Sequence, residues 1–310
     1  SARNVLEAMD PGCYEPVPIG IDREGRWHLD DARRLLESAG HLPALSAGEG
    51  GAGEVALVPR GRSNALVDLE AHRDLGTLDV IFPVLHGPYG EDGSVQGLCR
   101  LAGIPCVGAG VLGSAVGMDK DVMKRLLRDA GIATARFLAV GRAEPAPALG
   151  VATAALGVPL FVKPANLGSS VGVSKARTAA EFADALRLAF RYDTKVIVEE
   201  FIEGRELECS VLGNDDPVAS VPGEVLPSHE FYDYEAKYLD EHGAVLEIPA
   251  RLEPAKADEL RALAVRAFRV LCCSGMARVD LFLRPDGRLL VNEINTIPGF
   301  TRISMYPKLW

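Results

Sequence analysis

The sequence predicts a mixed fold, an α/β region followed by two α+β regions, three domains in all. Three observations carry this expectation. Strand and helix patterns alternate from Val17 to about residue 110, a capped helix opens at Asp119, and two apolar runs close the chain around a Pro285-Asp286-Gly287 turn. The alternation has the rhythm of βαβ units, so a parallel sheet flanked by helices is expected first.

Ser1–Ala8 reads as the middle of an amphipathic helix. Val17–Asp22 and Asp79–Leu85 are short apolar runs and predict strands, whereas Asp30–Ser38 and Val95–Ala102 have helical spacing. Ser46–Asn64, rich in Gly, Ser and Arg, predicts a surface loop or an irregular hairpin. Asp119 is placed to N-cap a helix over Lys120–Ala130, and Gly131 stands where a left-handed residue ends it, so a domain boundary is set there. Strands are then expected at Ala135–Val140, Leu160–Pro164 and Lys195–Phe201, with a Gly/Ser loop over Asn166–Gly172 and a helix over Ala179–Phe190. Strands at Glu208–Gly213 and Ala219–Val225, a long helix over Pro254–Leu271 and the closing hairpin follow, giving domains 1–118, 119–206 and 207–310.

With 310 residues, 48% of them hydrophobic and 25% charged, the chain is long enough for more than one core. Its 32 glycines and 20 prolines fall short of a low-complexity composition and are read as loop chemistry. A net charge of -10 argues against non-specific binding to nucleic acid or to an anionic membrane, so any anion must be met by local basic groups. The six cysteines form no C-x-x-C pair and read as reduced. With no signal peptide and no run long enough to span a bilayer, they lead to the expectation of a cytoplasmic protein.

The closing hairpin is the most informative stretch. Asp280 on one strand and Glu293 and Asn295 on the next fall at alternating positions, where period-2 geometry converges their oxygens. An oxygen-only donor set suits Mg2+, which keeps waters and substrate phosphates in its shell, and a metal-bound nucleotide is the natural occupant. A solvated acidic hairpin is the plainer alternative. Upstream, Leu160-Phe161-Val162-Lys163-Pro164 releases a lysine into Ala165-Asn166-Leu167-Gly168-Ser169-Ser170-Val171-Gly172, a loop able to aim backbone N–H groups at phosphate, though a tight turn with a chance lysine reads equally well. Val198-Glu199-Glu200-Phe201-Ile202-Glu203-Gly204-Arg205-Glu206 is spaced to bracket an adenosine, its backbone at Glu199–Ile202 meeting the base and Glu206 the ribose. Taken alone it is an ordinary strand exit.

Together these segments resemble the ATP-grasp ligases. Within them, Leu85-His86-Gly87-Pro88-Tyr89-Gly90-Glu91-Asp92-Gly93-Ser94-Val95-Gln96-Gly97, Gly117-Met118-Asp119-Lys120, Phe231–Tyr238 and Asn295-Thr296-Ile297-Pro298-Gly299-Phe300-Thr301 resemble the D-alanine–D-alanine ligase family over nearly the whole chain. The resemblance implies an ATP-grasp fold in which two α+β domains clamp ATP behind an N-terminal parallel-sheet domain. It also implies joining of two D-alanines through a D-alanyl phosphate for peptidoglycan precursor synthesis. Lys120, Lys163 and Lys237 match the phosphate contacts, Glu199, Ile202 and Glu206 the rest of the nucleotide site, and Asp280, Glu293 and Asn295 the ligands of two Mg2+ ions, with Mn2+ as a substitute. Arg278 and the backbone N–H of Gly299 match the groups that stabilise the tetrahedral oxyanion. A salt bridge to Asp280 is the structural alternative for Arg278, and a solvated loop charge for Lys237. His86 and Glu91 match the first D-alanine site, Ser304 and Met305 the second. The 227–244 segment resembles a mobile lid, with Tyr238 and Ser169 orienting substrate and relaying a proton.

By the same resemblance Tyr238 favours an amine over a hydroxyl nucleophile, and a homodimer is expected, with no nucleic acid or membrane as partner. The family's glycine-rich first strand, its first-site Glu and its last helix are absent from the sequence. The expectation is that residues are omitted or that the polypeptide as written is inactive. Two other functions stay open: a ligase using D-lactate or D-serine, and a non-catalytic nucleotide-binding module.

Overall fold

The structure, a computed structural model, describes residues 1–29, 53–60, 63–227 and 244–310. They fall into two compact units: Ser1–Val84 with Gly97–Val107 and Gly299–Ile303, and Leu85–Gln96 with Gly108–Pro298 and Ser304–Trp310.

The first unit opens with helix α1 (Ala2–Ala8), as the first residues suggested. Five strands follow: β1 (Ile19–Ile21), β2 (Trp27–Leu29), β3 (Glu54–Arg60), β4 (Ser63–Asp68) and β5 (Arg73–Gly76). Each pairs with the next, and every pair is antiparallel. The expected parallel sheet is thus corrected to an antiparallel meander. The reason is connection length: two residues separate β3 from β4 and four separate β4 from β5, far fewer than the dozen or more a parallel crossover needs. Parallel pairing in this unit is confined, among the described residues, to the bridge Ile81↔Cys106, where a full strand over Asp79–Leu85 was expected. Of the two readings of Ser46–Asn64, a surface loop or an irregular hairpin, the described part is hairpin, with Glu54–Arg60 paired antiparallel to the strand that starts at Ser63, and the helix expected over Asp30–Ser38 lies outside the described residues. Leu57, Ala102 and Ile104 form the core, with Trp27, Leu78, Ile81 and Leu98 packed against them. Asn4 Nδ2 donates to Phe300 O at 2.7 Å and Phe300 packs edge-on to Phe82, tying the 299–303 segment into this unit.

Helix α2 (Ser94–Leu101) leads on to α3 (Val111–Met118) and α4 (Lys120–Asp129). Asp119 caps α4 by accepting from the N–H groups of Asp121 and Val122, and Gly131 follows its end at φ 69°. A four-stranded antiparallel sheet comes next, in the order β6 (Phe137–Gly141), β9 (Lys195–Glu200), β7 (Leu160–Pro164), β8 (Ser174–Ala176). Helix α5 (Leu149–Leu156) lies between β6 and β7 in sequence, and α6 (Ala179–Tyr192) between β8 and β9. A Thr178/Glu181 capping box starts α6, whose Phe182, Ala185, Leu186 and Ala189 recur at helical spacing and pack on Leu160, Val162, Val196 and Val198.

The second sheet of this unit runs β12 (Ala244–Glu247), β11 (Val218–Pro227), β10 (Arg205–Leu212), β13 (Met276–Leu283), β14 (Leu289–Asn295). Helix α7 (Pro254–Val270), with proline at its permissive first position, buries Leu260, Ala264, Ala267 and Phe268 against Leu207, Cys209, Val279 and Leu281. A short α8 (Met305–Lys308) seats Met305 and Leu309 beside Val225. All the cysteines are free thiols, three of them buried. Among the described residues no helix is long and apolar enough to cross a membrane.

Candidate active site

The β13–β14 hairpin brings its predicted residues onto one face. Asp280 stands directly across from Glu293, and Arg278 across from Asn295, so alternation along each strand puts all four side chains on the same side. The register slips between Asp280 and Leu281, leaving Asn292 outside the paired register just beyond the site, while Arg278–Asp280 and Glu293–Asn295 stay in continuous register. Asn295 Nδ2 donates to Asp280 Oδ2 at 2.9 Å. Arg278 grips Asp280 with two bonds, Nε to Oδ1 at 2.7 Å and Nη2 to Oδ2 at 2.8 Å. The salt bridge weighed as the structural alternative for Arg278 is therefore formed, within the site. Its Nε also lies 2.9 Å from Glu208, a residue of β10 that pairs with Asp280 in register. Burial alone would weaken the guanidinium's charge, but Asp280 and Glu208 hold its pKa well above the ordinary value.

Lysines approach this face from two other elements. Lys120, the first residue of α4, donates to Leu167 O at 2.7 Å and lies 3.4 Å from Glu293. Lys163, near the end of β7, pairs with Glu199 on the adjacent β9, and Glu293 and Glu206 add to the field that raises its pKa against the effect of burial. Glu199 Oε1 lies 2.7 Å from a third lysine, Lys124, one turn along α4. Burial would push the Glu199 carboxyl up, yet Lys124 and Lys163 together hold it at about 2. Between Lys163 and β8 the chain places Ser169 at φ 54°, Ser170 at φ 59° and Gly172 at φ 70°. Holding serines in the left-handed region costs roughly 1–3 kcal/mol each, a strain that clusters at ligand-binding loops.

The 85–91 loop is fastened to the end of the same hairpin. His86 Nδ1 donates to Ile297 O at 3.0 Å, while Glu91 accepts from the N–H of Gly87 at 2.7 Å and of Ile297 at 3.3 Å. Burial raises the Glu91 pKa even against these donors. Ile202 is half-buried just beyond β9. Gly299 belongs to the first unit, and Ser304 and Met305 to the second. Met305 is buried beside Val225 and Leu309, so any substrate contact there falls to its backbone. Lys237 and Tyr238, with the lid expected over 227–244 apart from its two end residues, lie outside the described residues. Sequence reasoning missed Glu208 and Lys124. Glu208 alternates with Glu206 on β10 and Lys124 follows Lys120 at i+4, so the periodicity that placed their neighbours could have found both.

In this network four basic side chains, Lys120, Lys124, Lys163 and Arg278, meet five carboxylates, Glu199, Glu206, Glu208, Asp280 and Glu293. A polyphosphate would be repelled by that surplus unless divalent cations came with it. The donor chemistry agrees: two carboxylates and an amide oxygen, with positions left for water and phosphate, suit Mg2+. Among the described residues no group of three His, Cys, Asp or Glu side chains is placed to hold a metal ion on its own.

Comparison with known proteins follows the same line. The profile described as "D-ala D-ala ligase C-terminus" matches residues 126–310, and "D-ala D-ala ligase N-terminus" matches residues 1–109. The chain is 51% identical to D-alanine–D-alanine ligase A of Escherichia coli K12 and 49% identical to the D-alanine–D-alanine ligase of Oceanobacillus iheyensis, in each case over all of this chain and 85% of the relative. Among solved structures, it resembles the D-alanine–D-alanine ligase of Coxiella burnetii with a TM-score of 0.88 and 38% identity, covering 100% of this chain and 82% of that one. It also resembles the VanG D-Ala:D-Ser ligase of Enterococcus faecalis with a TM-score of 0.83 and 35% identity, covering 99% and 88%.

Proposed function

The chain belongs to the D-alanine–D-alanine ligase family, and from that premise we propose that it joins two D-alanines at the expense of ATP. In this reading the carboxylate of the first D-alanine takes the terminal phosphoryl group of ATP, releasing ADP. The amine of the second attacks the resulting acyl phosphate, and phosphate leaves with the amine's surplus proton lost. The observation that carries the reading is the single face on which Arg278, Asp280, Glu293 and Asn295 meet, reached by Lys120 through Glu293.

Each group has work suited to its chemistry. Lys120, Lys163 and the left-handed loop at Ser169 and Ser170 hold the triphosphate, and Glu199, Ile202 and Glu206 the nucleoside. Mg2+, two ions with Mn2+ as substitute, would sit on Asp280, Glu293 and Asn295 and supply Lewis-acid charge at the phosphates. Arg278, already charged and fixed by two carboxylates, would stabilise the transferring phosphoryl group and the oxyanion, a task the family resemblance also gives to the Gly299 N–H. His86 and Glu91 line the first D-alanine site, where hydrogen bonds to Ile297 hold the loop beside the hairpin. Ser304 and Met305 serve the second, and Lys237 and Tyr238 belong to the lid that excludes water. A homodimer, a cytoplasmic location and the 1–118, 119–206 and 207–310 division complete the proposal.

ADP release measured with Mg2+ and D-alanine alone, with added D-lactate and with added D-serine tests it, the product being identified by mass. D-alanyl-D-alanine as the main product, abolished by EDTA and restored by Mg2+, is the expected result. ADP release with none of the amino acids or hydroxy acids would overturn the assignment. A mixed D-alanyl-D-serine product would move the acceptor to the one named for VanG.

A further inference from the structure

We propose that Lys124 is a positioning residue for the nucleotide: by engaging one oxygen of Glu199 it keeps that carboxylate from cancelling Lys163, whose charge is then left for the phosphates. The proposal rests on the reading that ATP binds at Lys163.

The geometry is specific. Lys124 is among the largest side chains that are fully buried among the described residues, with 0% exposure. Helical spacing from Lys120 sends it inward beneath the site rather than toward solvent. Its Nζ lies 2.7 Å from Glu199 Oε1, while Lys163 holds Oε2 of the same carboxylate. Among the described residues neither Lys124 Nζ nor Glu199 Oε1 has a hydrogen-bond partner of acceptable geometry, so the contact is one of charge rather than of direction. A buried ammonium with a single acceptor is expensive to keep, and a leucine or methionine would pack there at less cost. What it adds is balance. With Glu199 alone, Lys163 would close into a neutral pair, whereas two lysines on one carboxylate leave a net positive charge at the mouth of the β7 loop. Burial lowers the Lys124 pKa while that of Lys163 is raised, as expected when the deeper lysine bears the desolvation and the outer one faces the remaining carboxylates.

Such a role has a signature that packing cannot imitate: it scales with the number of phosphates. The test compares binding of adenosine, ADP and ATP, with Mg2+, to the unaltered protein and to Lys124→Met, using calorimetry or competition. The expected result is an ATP Kd raised about tenfold or more, with ADP affected less and adenosine within about twofold. Equal loss for adenosine and ATP would make Lys124 a packing residue and overturn the proposal, as would unchanged ATP affinity. If the unaltered protein bound no ATP, the functional reading itself would fall. Lys124→Gln, equally neutral but able to hydrogen-bond Glu199, serves as the second variant if Lys124→Met does not fold by circular dichroism, and the same pattern is expected of it.

Discussion

Replacing Glu199 by Gln removes the carboxylate that Lys124 and Lys163 share, in a place where Glu199 itself is 2% exposed. A carboxyl held at about 2 instead of 4.5 contributes about 3 kcal/mol to stability at neutral pH. Leaving buried ammonium groups without their counter-ion costs roughly 3–5 kcal/mol by the experience of broken buried pairs, so the two routes agree in size. For a body of this size that is a fall in Tm on the order of 10 °C. Urea unfolding of both proteins, followed by circular dichroism across pH, measures the gap. Glu199 has a depressed folded-state pKa, so its contribution is complete above about 4.5 and is lost as pH falls toward 2. The gap between Glu199→Gln and the parent should therefore narrow below pH 4.5. It should narrow again at high pH, where Lys124, its pKa already lowered by burial, can shed its proton and relieve the variant. A loss below about 1 kcal/mol at pH 7, or a gap that stays constant from pH 3 to pH 10, would refute the electrostatic account.

Other outcomes are expected elsewhere. In Gly113→Ala the added Cβ would stand 2.5 Å from the backbone oxygen of Cys272, which cannot swing aside, so α3 must shift and the urea midpoint should fall by the equivalent of about 1–3 kcal/mol. Phe268→Ala, at the centre of the α7 core, should cost about 3–5 kcal/mol in the same assay. Arg278→Lys keeps the charge but loses the forked grip on Asp280, and kcat for ADP release should drop by about 10²–10³ while the melting curve moves little; an unchanged kcat would leave Arg278 a structural residue.

The hairpin was legible because Pro285-Asp286-Gly287 separates two apolar runs, and Gly287 indeed adopts φ 81°. Helices α6 and α7 were legible from the spacing of their buried residues, within two residues at either end. Strand direction in the first unit was not, because a short apolar run carries no sign of which way its neighbour points. Strand β3 lies in a segment whose Gly, Ser and Arg content read as a surface loop or an irregular hairpin, and its Pro59 is a residue a central strand excludes. The structure accommodates it because β2 pairs only with Glu54 and Val55, leaving Pro59 where no donor is needed on that side. In the site, Asp280, Glu293 and Asn295 announced themselves by alternation, whereas Lys124 looked like one more charge on a polar helix. Its i+4 spacing from Lys120 hints at a shared face, but its counter-ion Glu199 lies 75 positions away, and that pairing is not in the local pattern.

Glu91 meets Ile297 across 206 positions of sequence, and Lys120 reaches the strand that contains Glu293. During synthesis the loop at Gly87 thus emerges long before the hydrogen-bond donor that anchors it. At roughly 5–20 residues per second, the interval is of the order of ten seconds or more. Throughout that time the nascent polypeptide carries an imidazole whose partner has not been translated and a carboxylate with only its local Gly87 donor in place. Closure of so long a chain segment is an entropic cost met only when the β13–β14 hairpin and Ile297 arrive, so competence should appear abruptly once they are made rather than in stages.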